Sequence, residues 1–272
     1  MILVNGKTED RISVSDRGLQ YGDGLFETIA YRNGVAEFLD AHLNRLSLGC
    51  ERLAIPFQQP DQLRSELDTI CQNLTGDDTV IKIIVTRGSG GRGYFSDKDS
   101  IPTRIISTHP YPSFADSNYT MGINLRFCDQ ILSENPFLAG IKHLNRLEQV
   151  LARNEWTDQS INEGLMSDSH GNVIEGTMSN IFIVKLGQLF TPKLNKSGVA
   201  GIMRAQIMKL ASENSLLVKE EVITQREVNN ADEVFVCNSV IGIWPVSHIA
   251  DTSYQVGPIT QQLQHALQQL KK

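Results

Sequence analysis

The stretch AGIKHLNRLEQVLARNE, residues 139–155, carries the strongest signal in this sequence. Apolar residues recur between Leu144 and Leu151 at helical spacing, and Lys142 comes just before them. The pattern predicts a helix with Lys142 in its first turn. Because the amino end of a helix carries partial positive charge, a cation is disfavoured there. Lys142 is therefore either an accident of the surface or a residue placed for its chemistry.

The composition is typical of a soluble globular protein. The chain has 272 residues, of which 40% are hydrophobic and 21% charged, enough for one large domain or two ordinary ones. Its formal charge of −6 argues against nucleic-acid binding, which requires a basic face. The four cysteines are far apart in sequence and form no CxxC pair. They indicate neither a zinc site nor a disulfide framework, and they fit a reducing compartment.

Nothing in the sequence indicates secretion or a membrane span. The first ten residues, MILVNGKTED, lack a basic region and have only a short apolar run, unlike a signal peptide. No run of about 18 apolar residues occurs, so no transmembrane helix is expected. We expect a cytoplasmic protein with no membrane partner.

Strands and helices alternate along the first part of the chain. Strands are predicted beside two Asn-Gly turns, at 5–6 and 33–34. An amphipathic helix is predicted over 40–54 with Asp40 as its N-cap, and a second helix over 60–74. These signals favour an α/β unit at the amino end.

The domain division rests on a break in this alternation. A buried strand runs into a glycine-rich loop over 79–94, and the proline-containing stretch 109–118 then reads as a linker. We therefore predict an N-terminal α/β domain at 1–109, a linker at 110–114 and a C-terminal α/β domain at 115–272. Fold class is α/β in the broad sense that includes α+β.

The predicted C-terminal domain contains a hairpin around SHGN, residues 169–172, followed by the strand NIFIVKL. A helix is predicted from about 201 to 213, and EVFVCNS is a late strand. These elements carry most of the residues that could bind a ligand.

Several of those residues suit a phosphate group. Gly198 and Gly201 precede the helix in KSGVAGIMR, and free N–H groups at a helix amino end bind phosphate. The pattern also occurs in ordinary loops, and no Gly-Lys-Ser/Thr follows, so it is not a P-loop. Arg45 adds a guanidinium and Ser239 a hydroxyl. Taken alone, Arg45 would be a surface arginine and Ser239 part of a capped turn.

Glu175 lies in GNVIEGTMSNIFIV, where it is predicted to occupy a polar turn between two strands. A lone acid there would be a solvated turn residue. Beside a heteroaromatic nitrogen, however, its negative charge would keep the ring protonated. A lysine amine, such an acid and a phosphate cup are together what pyridoxal phosphate requires. Desolvation and the helix amino end would both lower the pKa of Lys142, which could then act as nucleophile and base.

The order of five motifs resembles the fold-type IV pyridoxal-phosphate enzymes, a family that includes branched-chain and D-amino-acid aminotransferases and aminodeoxychorismate lyases. The motifs are SVSDRGLQYGDGLFET, LAGIKHLNRLEQVLAR, NVIEGTMSNIF, GVAGIMR and EVFVCNSVIGIWPV. The resemblance spans nearly the whole chain. TRGSGGRGY together with GIKHLNRLEQV is most similar to the lyases.

The resemblance implies roles for the residues that match the motifs. Lys142 would bind the cofactor covalently and Glu175 would pair with the pyridine nitrogen. The phosphate would be held by Arg45, by the backbone of Ile202 and Met203, and by Ser239. Aminotransferases of the family often have Thr where Met203 stands, so here the backbone must suffice. The implied architecture has two α/β domains with the cofactor in the cleft between them, usually in a homodimer.

The implied reaction converts 4-amino-4-deoxychorismate, a small-molecule substrate, to 4-aminobenzoate and pyruvate in folate synthesis. Lys142 would serve as the base, and Thr28 would give a proton to the departing enolpyruvate unless it is simply a strand threonine. The substrate has two carboxylates, so a cationic pocket is expected even though the protein is acidic. The candidate substrate-binding residues are Arg92, Tyr94 and Arg146, although Arg92 could equally be a flexible loop arginine.

Two other functions stay open at this point. An aminotransferase would use the same Lys142 and Glu175 on an amino acid and a 2-oxo acid, so cofactor residues cannot separate it from a lyase. A non-catalytic binding module would bind no cofactor. The presence of Lys142, Glu175 and Arg45 together disfavours the binding module.

Overall fold

The computed structural model describes residues 1–58, 60–74, 76, 78–91 and 93–270. It divides the chain into two compact units. The first consists of Met1–Pro112 and Ile141–Asn145, and the second of Ser113–Gly140 and Arg146–Lys272.

The first unit is built on an antiparallel sheet. Its elements are β1 (Ile2–Val4), β2 (Lys7–Thr8), α1 (Arg17–Tyr21), β3 (Gly24–Arg32), β4 (Val35–Ala36), α2 (Leu39–Arg52), α3 (Pro60–Asn73), β5 (Thr79–Thr86) and β6 (Thr103–Pro110). Among the described residues the strand order is β2-β1-β6-β5-β3-β4. The long central pair, β3 and β5, runs in register from Gly24 opposite Thr86 to Tyr31 opposite Thr79.

The core of the first unit lies between this sheet and α2 and α3. Ile29 on β3 and Ile81 and Ile83 on β5 are fully buried. They belong to one apolar cluster with Leu46 of α2 and Leu67 of α3. The cluster follows from the alternation of side chains along each strand, which sends every second residue to the helix-covered face.

The two Asn-Gly turns have the backbone conformation that the sequence predicts. Asn5 and Gly6 have φ values of 50° and 78°, and Asn33 and Gly34 have 52° and 78°. Two successive residues with positive φ are what a tight hairpin turn requires, and Asn-Gly adopts them readily. Both predicted turns are confirmed.

The start of α2 differs from the prediction. The N-cap is Phe38, in the left-handed conformation with φ 53°, and Asp40 lies in the first turn. Asp40 accepts a hydrogen bond from Arg64. The prediction of Asp40 as the N-cap was therefore wrong, because the preceding turn carries the chain into the helix two residues earlier. A carboxylate in the first turn still suits the helix dipole.

The second unit has a larger mixed sheet. Its elements are α4 (Ser117–Thr120), β7 (Ile123–Ile131), α5 (Leu147–Arg153), β8 (Glu163–Ser167), β9 (Asn172–Gly176), β10 (Asn180–Lys185), β11 (Gln188–Pro192), α6 (Ile202–Glu213), β12 (Val218–Glu221), β13 (Ile223–Thr224), α7 (Gln225–Asn229), β14 (Glu233–Asn238), β15 (Gly242–Ile249), β16 (Thr252–Ser253) and α8 (Pro258–Leu270). Its strand order is β12-β11-β10-β14-β15-β7-β8-β9-β13, with β16 paired to β15.

The centre of this sheet is strongly apolar. Phe182 on β10 and Phe235 on β14 are directly paired and fully buried, and their rings stack with centroids 5.0 Å apart. Strands buried on both faces read as nearly continuous apolar runs, as in NIFIVK and EVFVCN. The predicted SHGN hairpin is confirmed as β8–β9, and the helix predicted from about 201 is confirmed as α6.

Helix α5 begins later than the sequence pattern suggested. Its first residue is Leu147, and the preceding residues 141–145 are not helical. Leu147, Val150 and Leu151 are 75%, 51% and 56% exposed, so the apolar stripe does not face a core in the described structure. Lys142 is therefore not in a first helical turn, and the expected influence of a helix dipole on its pKa does not apply.

The segment Ile141–Asn145 belongs to the first unit. The Phe26 N–H donates to the Lys142 carbonyl at 3.0 Å, and the Leu144 N–H donates to the Gly24 carbonyl at 3.0 Å. These strand-like bonds to β3 place the lysine with the N-terminal unit, whereas the sequence assigned it to the C-terminal domain.

Among the helices of the described residues, none combines the length and the apolar character that a membrane span requires.

Candidate active site

Lys142 lies opposite Phe26, at the edge of β3. Leu25 and His143 form an isolated antiparallel bridge beside this pair. The Lys142 Nζ is 4.1 Å from the centroid of the Phe26 ring. An aromatic face attracts an ammonium group at this distance and also shields it from water. The amine is thus held by backbone pairing on one side and by an aromatic ring on the other.

Thr28 lies on the same strand as Phe26, two residues further along. Because side chains alternate on a strand, Phe26 and Thr28 project from one face of β3 and Glu27 projects from the other. Thr28 is partly buried and sits opposite Lys82 in the ladder with β5. Its hydroxyl therefore shares a sheet face with the ring that packs on Lys142.

Arg45 is held by a buried carboxylate. Its Nε donates to Glu27 Oε1 at 2.7 Å, and its side chain also bonds to Glu27 Oε2. His42, one helical turn earlier on α2, lies 2.6 Å from Glu27 Oε2 through its Nδ1. Glu27 is 1% exposed and His42 is fully buried. Arg45 is thus a fixed guanidinium and not a mobile surface arginine.

The charge state of this cluster follows from its contacts. Burial by itself would raise the pKa of Glu27, but hydrogen bonds from His42 and Arg45 and their charges bring it below its ordinary value. The carboxylate is therefore ionised. Within the described residues, the Nε2 of His42 is buried and has no hydrogen-bond partner.

Two of the predicted substrate residues belong to the glycine-rich loop. Tyr94 is 89% exposed, and its ring packs edge-on against Tyr21 with centroids 5.6 Å apart. Arg92 lies outside the described residues. The backbone of the loop is bonded to Arg17, whose guanidinium donates to the carbonyls of Gly93 and Tyr94.

In the second unit, Glu175 lies in strand β9 and is 4% exposed, so the prediction of a polar turn was wrong. The turn of this hairpin falls earlier, at the SHGN sequence, which leaves Glu175 paired with Met166 of β8. Its Oε2 accepts a hydrogen bond from the Val199 N–H at 2.7 Å. Gln149 of α5 approaches Oε1, with its Nε2 at 3.5 Å. Glu175 is therefore a buried acid whose carboxylate is held in place by the backbone N–H of Val199.

Arg146, the third predicted substrate residue, is the N-cap residue of α5 and is half-buried. Burial lowers the pKa of its guanidinium, and the nearby carboxylates of Glu175 and Glu148 oppose that shift. Arg146 therefore remains a cation in the electrostatic field of Glu175. The structure brings these two predicted residues together.

The predicted phosphate site begins at Gly201, the N-cap of α6, which makes no side-chain capping bond. Ile202 and Met203 follow and are 7% and 1% exposed. A Cβ at Gly201 would lie 2.0 Å from Asn180 Oδ1, so the backbone approaches its neighbour more closely than any other residue would allow. Backbone N–H groups of a first helical turn lack partners within the helix and suit an anion.

Ser239 follows β14 in a turn and is partly buried. The preceding Asn238 shapes that turn, because its Oδ1 accepts from the N–H groups of Val240 and Ile241 at 2.8 and 2.9 Å. The Asn238 Nδ2 donates to the Met178 carbonyl at 3.1 Å. Ser239 thus lies in a turn that is held by the side chain of Asn238, whose amide group already makes hydrogen bonds within the protein.

Sequence reasoning missed three residues that organise these groups: Glu27, His42 and Gln149. His42 lies three residues before Arg45, a spacing that places both side chains on one helix face. Asn145 donates to the Gly22 carbonyl at 3.0 Å and so anchors the lysine segment. The contact of Glu27 with α2 joins residues distant in sequence, and no local pattern signals it.

The sequence pattern of the family described as amino-transferase class IV matches residues 24–249, most of the chain. The chain belongs to this family. The class IV enzymes depend on pyridoxal phosphate, and the expected fold-type IV architecture with two α/β domains is confirmed.

Relatives of known name are similar over nearly the full length. The crystal structure of 4-amino-4-deoxychorismate lyase from Pseudomonas aeruginosa is 45% identical, has a TM-score of 0.95 and covers 99% of this chain and 98% of that one. Aminodeoxychorismate lyase of Vibrio harveyi is 37% identical, covering 97% of this chain and 98% of its own. A putative branched-chain-amino-acid aminotransferase of Methanocaldococcus jannaschii is 34% identical, covering 99% and 96%.

The residues of this class IV chain fit pyridoxal phosphate by their chemistry. Lys142 offers a primary amine for an aldehyde, and the buried Glu175 offers a fixed negative charge for a ring nitrogen. Gly201 leaves the first turn of α6 without a side-chain cap, and Arg45 is an oriented guanidinium. An amine, an acid and two kinds of phosphate donor form a complete set for this cofactor.

Proposed function

We propose that this protein is a pyridoxal-phosphate-dependent lyase that converts 4-amino-4-deoxychorismate to 4-aminobenzoate and pyruvate. The observation that carries the proposal is the 45% identity to the Pseudomonas aeruginosa lyase over 99% of the chain. Lys142, Glu175 and Arg45, the residues that the sequence motifs single out for the cofactor, are all present in this chain.

The cofactor is proposed to be held by residues of the sequence motifs. Glu175 pairs with its ring nitrogen, while Arg45, the Ile202 and Met203 N–H groups and Ser239 bind its phosphate. When bound, pyridoxal phosphate supplies an electron-withdrawing ring that accepts the electron pair of a broken C–H bond. Glu175 supports this role because a buried carboxylate keeps the nitrogen protonated.

Lys142 has two tasks in the proposed reaction. Its amine would hold the cofactor, and with the substrate in place the same amine would serve as the base. The base removes the proton from the ring carbon that bears the substrate nitrogen. The C–O bond on the neighbouring carbon then breaks, the ring becomes aromatic, and enolpyruvate leaves with the bonding electron pair. The Phe26 ring restrains Lys142 near this position.

The departing enolpyruvate takes up one proton and becomes pyruvate, so the overall reaction conserves atoms. Thr28 is the proposed proton donor, because it shares a face of β3 with Phe26. Arg92, Tyr94 and Arg146 are the proposed partners of the substrate carboxylates. Of these, Arg146 has the clearest support, since it is a half-buried cation.

We further infer that the enzyme works in the cytoplasm as a homodimer. The support for a partner subunit is the apolar face of α5, where Leu147, Val150 and Leu151 are at least half exposed. Light scattering on the cofactor-loaded protein should give twice the mass of one chain. A mass of one chain at assay concentration would refute the dimer without affecting the reaction.

An aminotransferase is the second candidate, favoured by the 34% identity to the Methanocaldococcus jannaschii relative. It would use Lys142 and Glu175 in the same way. The two candidates differ in whether the substrate nitrogen stays with the carbon skeleton or is passed to a 2-oxo acid.

A parallel turnover assay separates the two functions. One reaction supplies 4-amino-4-deoxychorismate to the pyridoxal-phosphate-loaded protein and follows 4-aminobenzoate and pyruvate. The other supplies branched-chain or D-amino acids with 2-oxoglutarate and follows glutamate. We expect equal amounts of the two products in the first reaction and little glutamate in the second. Glutamate formation without 4-aminobenzoate would make the enzyme an aminotransferase.

A further inference from the structure

The glycine-rich loop, residues 88–95, is bonded at both ends to a single buried residue, Arg17. The Arg17 backbone N–H donates to the Gly88 carbonyl at 2.9 Å, where the loop begins. Its Nη1 and Nη2 donate to the Gly93 and Tyr94 carbonyls at 2.9 and 3.0 Å, where the loop ends. Arg17 therefore contacts both ends of the loop. The start of the loop is also held by the bridge between Asp16 and Ser89 and by the Gly88 N–H, which donates to Thr86 Oγ1 at 3.0 Å.

The guanidinium itself is fixed by two further contacts. Its Nε donates to Asp23 Oδ2 at 3.0 Å, and its Cζ lies 4.9 Å from the centroid of the Tyr21 ring. Tyr21 in turn packs against the ring of Tyr94. The side chain is only 4% exposed. The bond to Asp23 holds the edge of the planar guanidinium, and the Tyr21 ring packs on its face. These two contacts fix its orientation, in which Nη1 and Nη2 point at the loop.

Charge compensation alone does not explain this arrangement. Asp23 already receives two hydrogen bonds from Arg87, from Nε at 2.7 Å and from Nη2 at 3.1 Å. Arg87 sends its remaining donors to the carbonyls of Leu53 and Ala54, at the end of α2. The two arginines thus share one carboxylate but donate hydrogen bonds to different parts of the unit. Arg17 is the one that donates to the loop.

The loop lies close against Arg17. A Cβ added at Gly90 would be 2.9 Å from the Arg17 Cδ, so the backbone passes directly over the side chain. The side chains at the end of the loop are open to solvent, because Tyr94 and Phe95 are 89% and 87% exposed. An exposed loop loses entropy when it is ordered, and anchoring its ends before a ligand arrives reduces that cost.

We propose that Arg17 is the positioning residue of the substrate loop, fixing the backbone of Gly93 and Tyr94 so that the loop meets the substrate carboxylates in one geometry. The proposal rests on the proposed function for the identity of the substrate, but the anchoring of the loop does not. The Arg17 guanidinium donates to protein groups, the Asp23 carboxylate and the carbonyls of Gly93 and Tyr94. Its loss should therefore act on substrate binding more than on the chemical step.

The test compares Arg17→Lys with Arg87→Lys in the cofactor-loaded enzyme. A lysine keeps the charge beside Asp23, but its single nitrogen cannot reach all three acceptors that the three guanidinium nitrogens of Arg17 reach. For Arg17→Lys we expect a rise in KM for 4-amino-4-deoxychorismate of about ten- to a hundredfold, with a smaller change in kcat. Arg87→Lys removes a buried arginine from the same carboxylate, so it should lower the melting temperature while leaving KM within about twofold.

Hydrogen exchange gives a readout that does not need the substrate. Peptides covering 88–95 should exchange faster in Arg17→Lys than in Arg87→Lys, in the presence of cofactor alone. Equal exchange in the two variants, or equal KM changes, would overturn the proposal. Absence of lyase turnover in the unmodified enzyme would instead refute the proposed function, and the exchange comparison would still decide the role of Arg17.

A milder variant covers the case in which Arg17→Lys does not fold. Tyr21→Leu removes the ring contacts with Arg17 and Tyr94 but keeps the ion pair with Asp23. It should raise KM by a few-fold and speed exchange in the loop, with kcat nearly unchanged. Unchanged loop exchange in a folded Tyr21→Leu enzyme would contradict the proposal.

Discussion

Two lysines lie near the same aromatic ring, and Lys142 is the one that we propose as the reactive amine. The Lys142 Nζ is 4.1 Å from the Phe26 ring centroid, and the Lys82 Nζ is 5.7 Å from it. Lys142 is placed by backbone pairing of its own segment, whereas Lys82 is an ordinary residue of β5. This pair offers a matched comparison for the assignment of the reactive amine.

Lys142→Ala should lower lyase turnover by about a thousandfold or more, because both the covalent link and the base are lost. After borohydride reduction of the cofactor-loaded enzyme, mass spectrometry should locate the cofactor on the peptide that contains Lys142. Lys82→Ala should be labelled like the unmodified enzyme. Label on Lys82, or persistent label in Lys142→Ala, would show that the amine has been assigned wrongly.

The Glu27 carboxylate should control how well Arg45 binds phosphate. In Glu27→Gln the guanidinium loses its charged partner and its fixed orientation, so we expect pyridoxal phosphate to bind about tenfold more weakly. The matched control is Glu37→Gln, which removes a similar partner from Arg32, bonded at 2.7 Å. Fluorescence titration with the cofactor measures both variants, and equal weakening in the two would exclude a specific effect on Arg45.

At the scale of the elements, α6 offers a test of the phosphate site through its first turn. In Gly201→Ala the added Cβ would lie 2.0 Å from Asn180 Oδ1, whose side-chain amide is bonded to the Val199 carbonyl. Relief of the clash must move the helix start or break that bond, at a cost of about 1–3 kcal/mol. We expect a lower melting temperature and weaker cofactor binding.

Gly257→Ala is the control for that experiment. It places a Cβ 2.0 Å from the Glu233 side chain just before α8, in the same unit but at a helix without a proposed role. Thermal unfolding should show a similar loss of stability, while cofactor affinity measured on folded protein should stay unchanged. If both variants weaken cofactor binding alike, the first turn of α6 has no special part in holding the phosphate.

The sequence predicted those elements that depend on local chemistry. The Asn-Gly turns at 5–6 and 33–34 were predictable because positive φ is a property of the residues themselves. The start of α5 was not, since residues 141–145 pair with β3, more than a hundred positions away in sequence. The burial of Glu175 and the bonds of Arg17 to loop carbonyls likewise depend on contacts between residues distant in sequence. The spacing of apolar residues along the chain does not predict such contacts.

For the molecule as a whole, buried ionised carboxylates determine the response to acid. Contacts in the folded state hold the pKa of Glu27 below its ordinary value of 4.5. Its contribution to stability is therefore complete above about pH 4.5 and is lost as the pH falls through the folded-state pKa. Urea unfolding between pH 7 and pH 3 should show a smaller acid-induced loss in Glu27→Gln than in the unmodified protein. An identical loss would mean that other groups dominate.

The chain returns to the first unit at Ile141–Asn145, and this return affects how the protein folds during its synthesis on the ribosome. Residues 1–112 leave the ribosome before Ile141–Asn145, the segment that completes the edge of β3 and brings Lys142. Domains generally fold as units during synthesis, amino-terminal first. The N-terminal unit can therefore fold early, but a nascent chain that stops at Pro112 lacks Lys142. Lys142, the proposed reactive amine, is therefore synthesised only after the first 28 residues of the second unit, Ser113–Gly140.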